Sequence, residues 1–213
     1  MKSVLISIRP EWVEKIVNGE KTIEVRKSAP KELPFKCYIY ATKATKWFLL
    51  GIIVTSEELL WLSNGKIEMG DGFGLWAHGE DYQCVNGKVI GEFICDKIDE
   101  YAFHDGLTEF NSMGLPSRIY GSYLIFADEY KSMCLSYDEV KNYGKGKTLY
   151  GWHISDLKIY DKPKGLSEFF KPCSQSKNLD CDWLRNHNVC ACSDKKPLIR
   201  PPQSYMYVEE IVR

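Results

Sequence analysis

The stretch from Pro10 to Arg26 constrains this chain more than any other, because it fixes a helix, its stop and the strand that follows. Proline suits the first helical position, where its missing N–H would have had no partner. Trp12, Val13, Ile16 and Val17 then make one apolar stripe at helical spacing, with Glu11 and Lys15 four apart on the outside. Gly19 supplies the left-handed stop that a side chain resists. From Thr22 to Arg26 the period changes to two. Ile23 and Val25 share one face, while Thr22, Glu24 and Arg26 share the other. Burying the aliphatic pair aims Glu24 and Arg26 together at solvent or a cleft. Strict alternation puts Lys21 on the opposite face, but it directly follows the Gly19 turn, where strand parity need not yet hold.

The rest of the chain reads mainly as strands. Val4 to Ile8 is short and apolar, and Phe35 to Lys43 is Tyr-rich with Pro34 at its entrance. Asn64-Gly65 and Asn86-Gly87 predict tight hairpin turns, the second leading into Lys88 to Lys97, a strand buried on both sides. Ser136 and Glu139 form a capping box, with Leu135 and Val140 as its hydrophobic staple, and Gly144 is the expected helix end. Leu149 to Tyr160 predicts a long strand with a bulge at Ser155-Asp156, because the apolar phase slips there. Ser204 to Val212 is the last strand. Residues 44–85 carry hairpin signals of their own and read as an insertion, so a single domain over 1–213 is expected, with a Cys-rich segment at 170–200.

Composition narrows the function. A length of 213 residues with 44% hydrophobic content is enough for a core, and a net charge of −1 provides no global attraction to polyanions. Any such site must be local. Glu20 to Lys46 holds seven cations against three acids, and Lys145 to Lys164 five against two, whereas Lys66 to Glu109 holds three against ten. These are either solvated faces or, if the two basic stretches meet, one positive side. The longest apolar run, Trp47 to Val54, is far short of the ~18 to 20 residues of a membrane span. Arg9 and Pro10 interrupt Val4 to Ile8 before a signal-peptide core forms. A soluble cytoplasmic protein without a membrane partner is expected, its eight Cys being reduced thiols or metal ligands.

Gly19-Glu20-Lys21-Thr22-Ile23-Glu24-Val25-Arg26 carries the pattern Gly-x-Lys-x-x-Glu-x-Arg, and on these residues the chain resembles the ASCH domain family of the PUA-like superfamily. Gly151-Trp152-His153-Ile154-Ser155-Asp156-Leu157-Lys158 and Arg200-Pro201-Pro202-Gln203-Ser204-Tyr205 are similar to segments of small phage- and prophage-encoded ASCH proteins of Gram-positive bacteria. The resemblance implies an α+β fold, a mostly antiparallel β-barrel with a few short helices and an inserted hairpin region. It also implies a cleft onto which Lys21 and Glu24 project, and RNA or a modified nucleotide as partner, in the setting of a phage-encoded regulator. Other branches of the family are amidohydrolases of acylated cytidine, or similar to ribonucleases. Where the acyl-cytidine hydrolases use a nucleophilic Thr, this chain has Glu24, so that hydroxyl is absent.

The residue chemistry fits binding or catalysis. As binders, Lys21 holds a phosphate or carbonyl oxygen while Glu24 accepts from an exocyclic amine, with Arg26 beside it. As catalysts, Lys21 and Glu24 act as acid/base groups. The bland alternative is a salt bridge bracing the fold, and a protein-interaction domain with a vestigial cleft is a third reading. By alternation Trp152 belongs to the core and His153 faces outward, where it can contact phosphate. Lys43, at the end of its strand, is either a backbone contact or simply solvated.

Cys173, Cys181, Cys190 and Cys192 fall in a stretch too polar and Pro-rich to fold on an apolar face, with His187 as a possible substitute ligand. Four thiolates closing on zinc would supply that folding energy, although the spacing lacks the Cys-x2-Cys bites of common zinc sites. Elemental analysis of the purified protein is expected to find about one zinc per chain, as a four-ligand site requires; metal-free protein would end the idea.

Overall fold

The helix and strand expected around Gly19 are both present in the structure, a computed structural model. It describes residues 1–43, 85–110, 116–123, 125–172 and 197–210, with the backbone of four short strands between 47 and 83. In chain order the elements begin with β1 (Lys2–Ile8), α1 (Pro10–Val17), β2 (Ile23–Arg26) and β3 (Phe35–Ala41). The short strands β4 (Trp47–Leu49), β5 (Ile52–Val54), β6 (Gly74–Ala77) and β7 (Glu80–Gln83) form two hairpins. Then come β8 (Lys88–Cys95), β9 (Ile98–Tyr101), β10 (Phe103–Phe110), β11 (Pro116–Tyr123), α2 (Ala127–Met133) and α3 (Tyr137–Gly144). The chain continues through β12 (Leu149–His153), β13 (Ser155–Lys164), β14 (Phe169–Phe170), β15 (Tyr205–Tyr207) and β16 (Glu209–Glu210). The mixed α+β class is as expected. Among the described residues, however, the strands pair as separate sheets and do not close into one hydrogen-bonded barrel. Asn64-Gly65 and the four cysteines Cys173, Cys181, Cys190 and Cys192 lie outside the described residues. Among those described, no helix is long and apolar enough to cross a membrane, and no group of three His, Cys, Asp or Glu is set to hold a metal.

Two compact units divide the chain. The first comprises Met1–Glu14, Phe35–Phe93 and Leu157–Arg213. Its sheet runs β13-β8-β3-β1-β15. β1 lies parallel to β3 from Lys2↔Phe35 to Ile8↔Ala41 and antiparallel to β15. Both faces of β1 and β3 are buried: Leu5, Tyr38 and Tyr40 join one cluster with Phe169 and Leu198, while Val4, Ile6, Phe35 and Ile39 are buried as well. A parallel pair covered on both sides explains why these strands read as nearly continuous apolar runs. Each large aliphatic side chain so buried contributes roughly 1.5 to 3 kcal/mol. The Asn86-Gly87 turn is realised, with Gly87 at φ 81°.

The second unit comprises Lys15–Pro34 and Ile94–Asp156. Gly19, at φ 74°, ends α1 as expected. The sheet β2-β12-β9 is antiparallel throughout. Ile23, Val25, Leu149 and Tyr101 on one side of it join Met133 of α2 and Val140 of α3 in a single core. The capping box of α3 forms as read: Glu139 N–H donates to Ser136 Oγ at 3.3 Å, and Ser136 N–H to Glu139 Oε2 at 2.8 Å. The expected bulge becomes a full break between β12 and β13, with Asp156 at φ 49°.

Gly144 has a different role from the one expected. It is the last helical residue, and the left-handed cap is Lys145 at φ 52°. A side chain is excluded at 144 because its Cβ would stand 1.8 Å from the hydroxyl of Tyr123, which itself donates to Lys147 O at 2.6 Å. Helix propensity alone predicts that Gly144→Ala stabilises by about 1 kcal/mol. Packing predicts the opposite sign, a loss of roughly 1 to 3 kcal/mol from overfilling the core. Thermal melting is expected to show a lowered Tm; a raised one would show that propensity wins.

Candidate functional site

The charged residues of the Lys21 to Arg26 segment converge within the second unit. Lys21 precedes β2, and its neighbours pin it: Thr22 N–H donates to Ser132 O at 2.9 Å, and Ile154 N–H donates to Thr22 O at 2.9 Å. Lying outside the regular strand, Lys21 escapes strand parity and bends toward Glu24. Its Nζ is 3.4 Å from Glu24 Oε2, and the other carboxylate oxygen is 2.9 Å from Arg26 Nη2. The expected meeting of Lys21 with Glu24 therefore occurs.

Exposure differs from the expectation. Lys21, Glu24 and Arg26 are only 3%, 6% and 8% exposed, so Glu24 and Arg26 do not face open solvent. The physical reason is the pairing itself: a carboxylate held between two cations can be buried where a lone one could not. Lys21 is further engaged, donating from Nζ to Met133 O at 2.6 Å. Met133 ends α2, where a carbonyl has no intrahelical donor and the helix dipole favours a cation. Lys21 thus caps a helix as well as binding a carboxylate.

The register carries this arrangement outward. Glu24 lies opposite Trp152 and Arg26 opposite Tyr150, so these four share one face of the β2–β12 pair. Trp152 is fully buried, as alternation predicted. Antiparallel pairing also places Lys27, just past Arg26, at the same end as Lys145 and Lys147, just before β12. All three lysines are exposed. Parts of the two basic stretches, Lys27 of one and Lys145 and Lys147 of the other, therefore lie at the same end of this sheet.

Tyr143 of α3 stands beside the same residues. Its ring carries the Lys27 ammonium 4.8 Å from the centroid and is 38% exposed. Burial raises the pKa of its hydroxyl; the Arg26 charge opposes this, Glu24 adds to it, and a hydrogen bond with the Lys27 backbone lowers it. At the far end of α3, hydrogen bonds from Ser136 hold the Glu139 carboxyl below its usual value, and the Lys21 charge acts in the same direction. Neither Tyr143 nor the Met133 carbonyl was singled out in the sequence. A helix residue adjacent to the basic Lys145 run was the only hint of Tyr143, and a backbone acceptor leaves no side-chain signal.

His153 does not take the outward face expected of it: it lies opposite Ile23, on the side of the pair that carries Val25 and Leu149, at the strand end where it remains partly exposed. It is also paired: Nε2 lies 2.5 Å from Asp99 Oδ2, with Lys97 Nζ 3.0 Å from the same carboxylate. Burial alone would raise the Asp99 pKa, yet the hydrogen bonds and charges of His153 and Lys97 outweigh it and hold the carboxyl low. Nearby, Cys95 is pushed up to about 12 by burial, so it carries no thiolate nucleophile at neutral pH. Lys43 is an exposed residue of the first unit, beside the Gly87 turn.

Comparison with known proteins adds three findings. The model of the ASCH domain matches residues 6–143. No curated protein matches. Among solved structures, the chain is similar to an ASCH protein of Zymomonas mobilis, at 17% identity, 98% of this chain, 88% of that chain and a TM-score of 0.46. It is also similar to a mutant of that protein, at 16% identity, 98% and 91% coverage and a TM-score of 0.46.

Removing the carboxylate tests the bracing role of the charged trio. Glu24→Gln leaves two buried cations without their shared anion, and a loss of roughly 3 to 5 kcal/mol is expected from breaking a buried pair. Urea unfolding reads this directly; unchanged stability would show that the trio does not brace the sheet.

Proposed function

The chain belongs to the ASCH domain family, and on that premise we propose that it binds single-stranded RNA or a modified nucleotide. The binding place is the basic end of the β2–β12 pair, beside Lys21, Glu24 and Arg26. One observation carries the reading: the Arg26↔Tyr150 register gathers Lys27, Lys145 and Lys147 at one end of the sheet. In a protein of net charge −1, a local gathering of this kind is what a polyanion site requires. Lys145 adds weight, since it holds a left-handed conformation that glycine would adopt with less strain.

An amidohydrolase or ribonuclease acting through Lys21 and Glu24 is the competing reading. It needs an ammonium that can give up its proton, and here that group donates to Met133 O while facing Glu24. The acid and base roles are therefore weaker than the binding role. His153, held by Asp99 and Lys97, is a further polar contact for a strand, and Lys43 a more distant candidate. We read residues 1–213 as one such domain, cytoplasmic, with structural zinc on Cys173, Cys181, Cys190 and Cys192. The segments similar to phage-encoded ASCH proteins favour a regulator of that origin.

Fluorescence anisotropy of a labelled single-stranded RNA tests the reading. Neutralising three phosphates predicts an affinity that falls with salt at a log–log slope of about −2. Changing Lys27, Lys145 and Lys147 together to Ala is expected to abolish most of that slope. Salt-independent binding, or product released from acylated cytidine in a Lys21-dependent way, would overturn it.

A further inference from the structure

We propose that Tyr143 is the stacking station for an unpaired nucleobase, an inference that rests on the nucleic-acid reading above and deepens it. Exposed large aromatics are few among the described residues, and Tyr143 is one whose ring lies against the basic end of the sheet. Its neighbours explain why it is a platform and not a loose side chain. The hydroxyl end is desolvated against the Lys27 backbone, while the ring face meets the Lys27 ammonium, so the ring is contacted at its edge and on its face. The helix beneath is anchored by the Ser136–Glu139 box at its start and by buried Val140 in its middle. A ring already held in place loses little freedom when a ligand arrives.

The present occupant of the ring face is the Lys27 ammonium, 4.8 Å from the centroid. An exposed cation–π contact of this kind is weak and readily exchanged. A base offers a larger π-face to the same ring, and the stack is stronger than the contact it displaces. Released from the ring, Lys27 turns to a phosphate, where Lys145 and Lys147 already stand at the same end of the sheet. Binding then exchanges one partner of Lys27 for another and leaves no cation stranded. The ligand class follows: a single strand, because bases stacked within a duplex have no free face to offer.

The test uses the full chain and a short single-stranded RNA of mixed sequence carrying one 2-aminopurine, whose fluorescence falls when the base stacks. Quenching on binding is expected with the wild-type protein and with Tyr143→Phe, which keeps the ring. Tyr143→Ala is expected to lose the quench and to bind about tenfold more weakly. Tyr143→Leu, which keeps bulk without a π-face, is expected to behave like Tyr143→Ala and guards against a variant that fails to fold. Binding and quenching that survive in Tyr143→Leu would overturn the stacking role while leaving the nucleic-acid reading intact. Failure of the wild-type chain to bind the RNA at all would overturn both.

Discussion

The second unit is organised around the burial of one carboxylate between two cations. Glu24 without Lys21 and Arg26 would be a lone buried carboxylate, and removing Glu24 would take from both cations the anion they share. Because Lys21 also reaches the last carbonyl of α2, the same ion pair fixes a helix end against the entry to β2. Strand, helix terminus and charge are thus held by one set of contacts. This is why three polar side chains can sit at the margin of an otherwise apolar core formed by Ile23, Val25, Met133 and Val140.

Much of this was legible from local pattern. The Pro10 to Arg26 stretch, the Asn86-Gly87 turn, the capping box at Ser136 and the inward Trp152 all rest on short-range rules of period and capping, and each is present. What escaped notice depends on contacts distant in sequence. Gly144 reads as a helix stop, but its missing side chain accommodates the Tyr123 hydroxyl. The burial of Glu24 and Arg26 is not legible in the sequence, because alternation tells which residues share a face and not what covers it. Asp99 gives no sign of its partner until β9 and β12 are paired. α2 carries no strong sequence signature; its start is bonded by Glu129, which accepts from Phe126 N–H at 2.9 Å and from the Tyr101 hydroxyl at 3.0 Å.

Charge shows the same division between composition and placement. A nearly neutral chain argued only that any polyanion site is local, and two basic stretches far apart in sequence gave no reason by themselves to expect one surface. The antiparallel register of β2 on β12 brings parts of the two together, while Lys36 of the first stretch pairs with Glu92 in the first unit. Part of a charge run can therefore serve as a ligand surface while another part is an ordinary ion pair.

The buried trio is contiguous, but its cover comes from segments far along the chain, the Met133 carbonyl lying 112 residues beyond Lys21. During synthesis the amino-terminal cations and Glu24 must wait in water until α2 and β12 have left the ribosome. No amino-terminal fragment ending before that point can close the ion pair inside a core. Maturation of this region is consequently a late event, set by the slow arrival of long-range contacts and not by the early helix that precedes them.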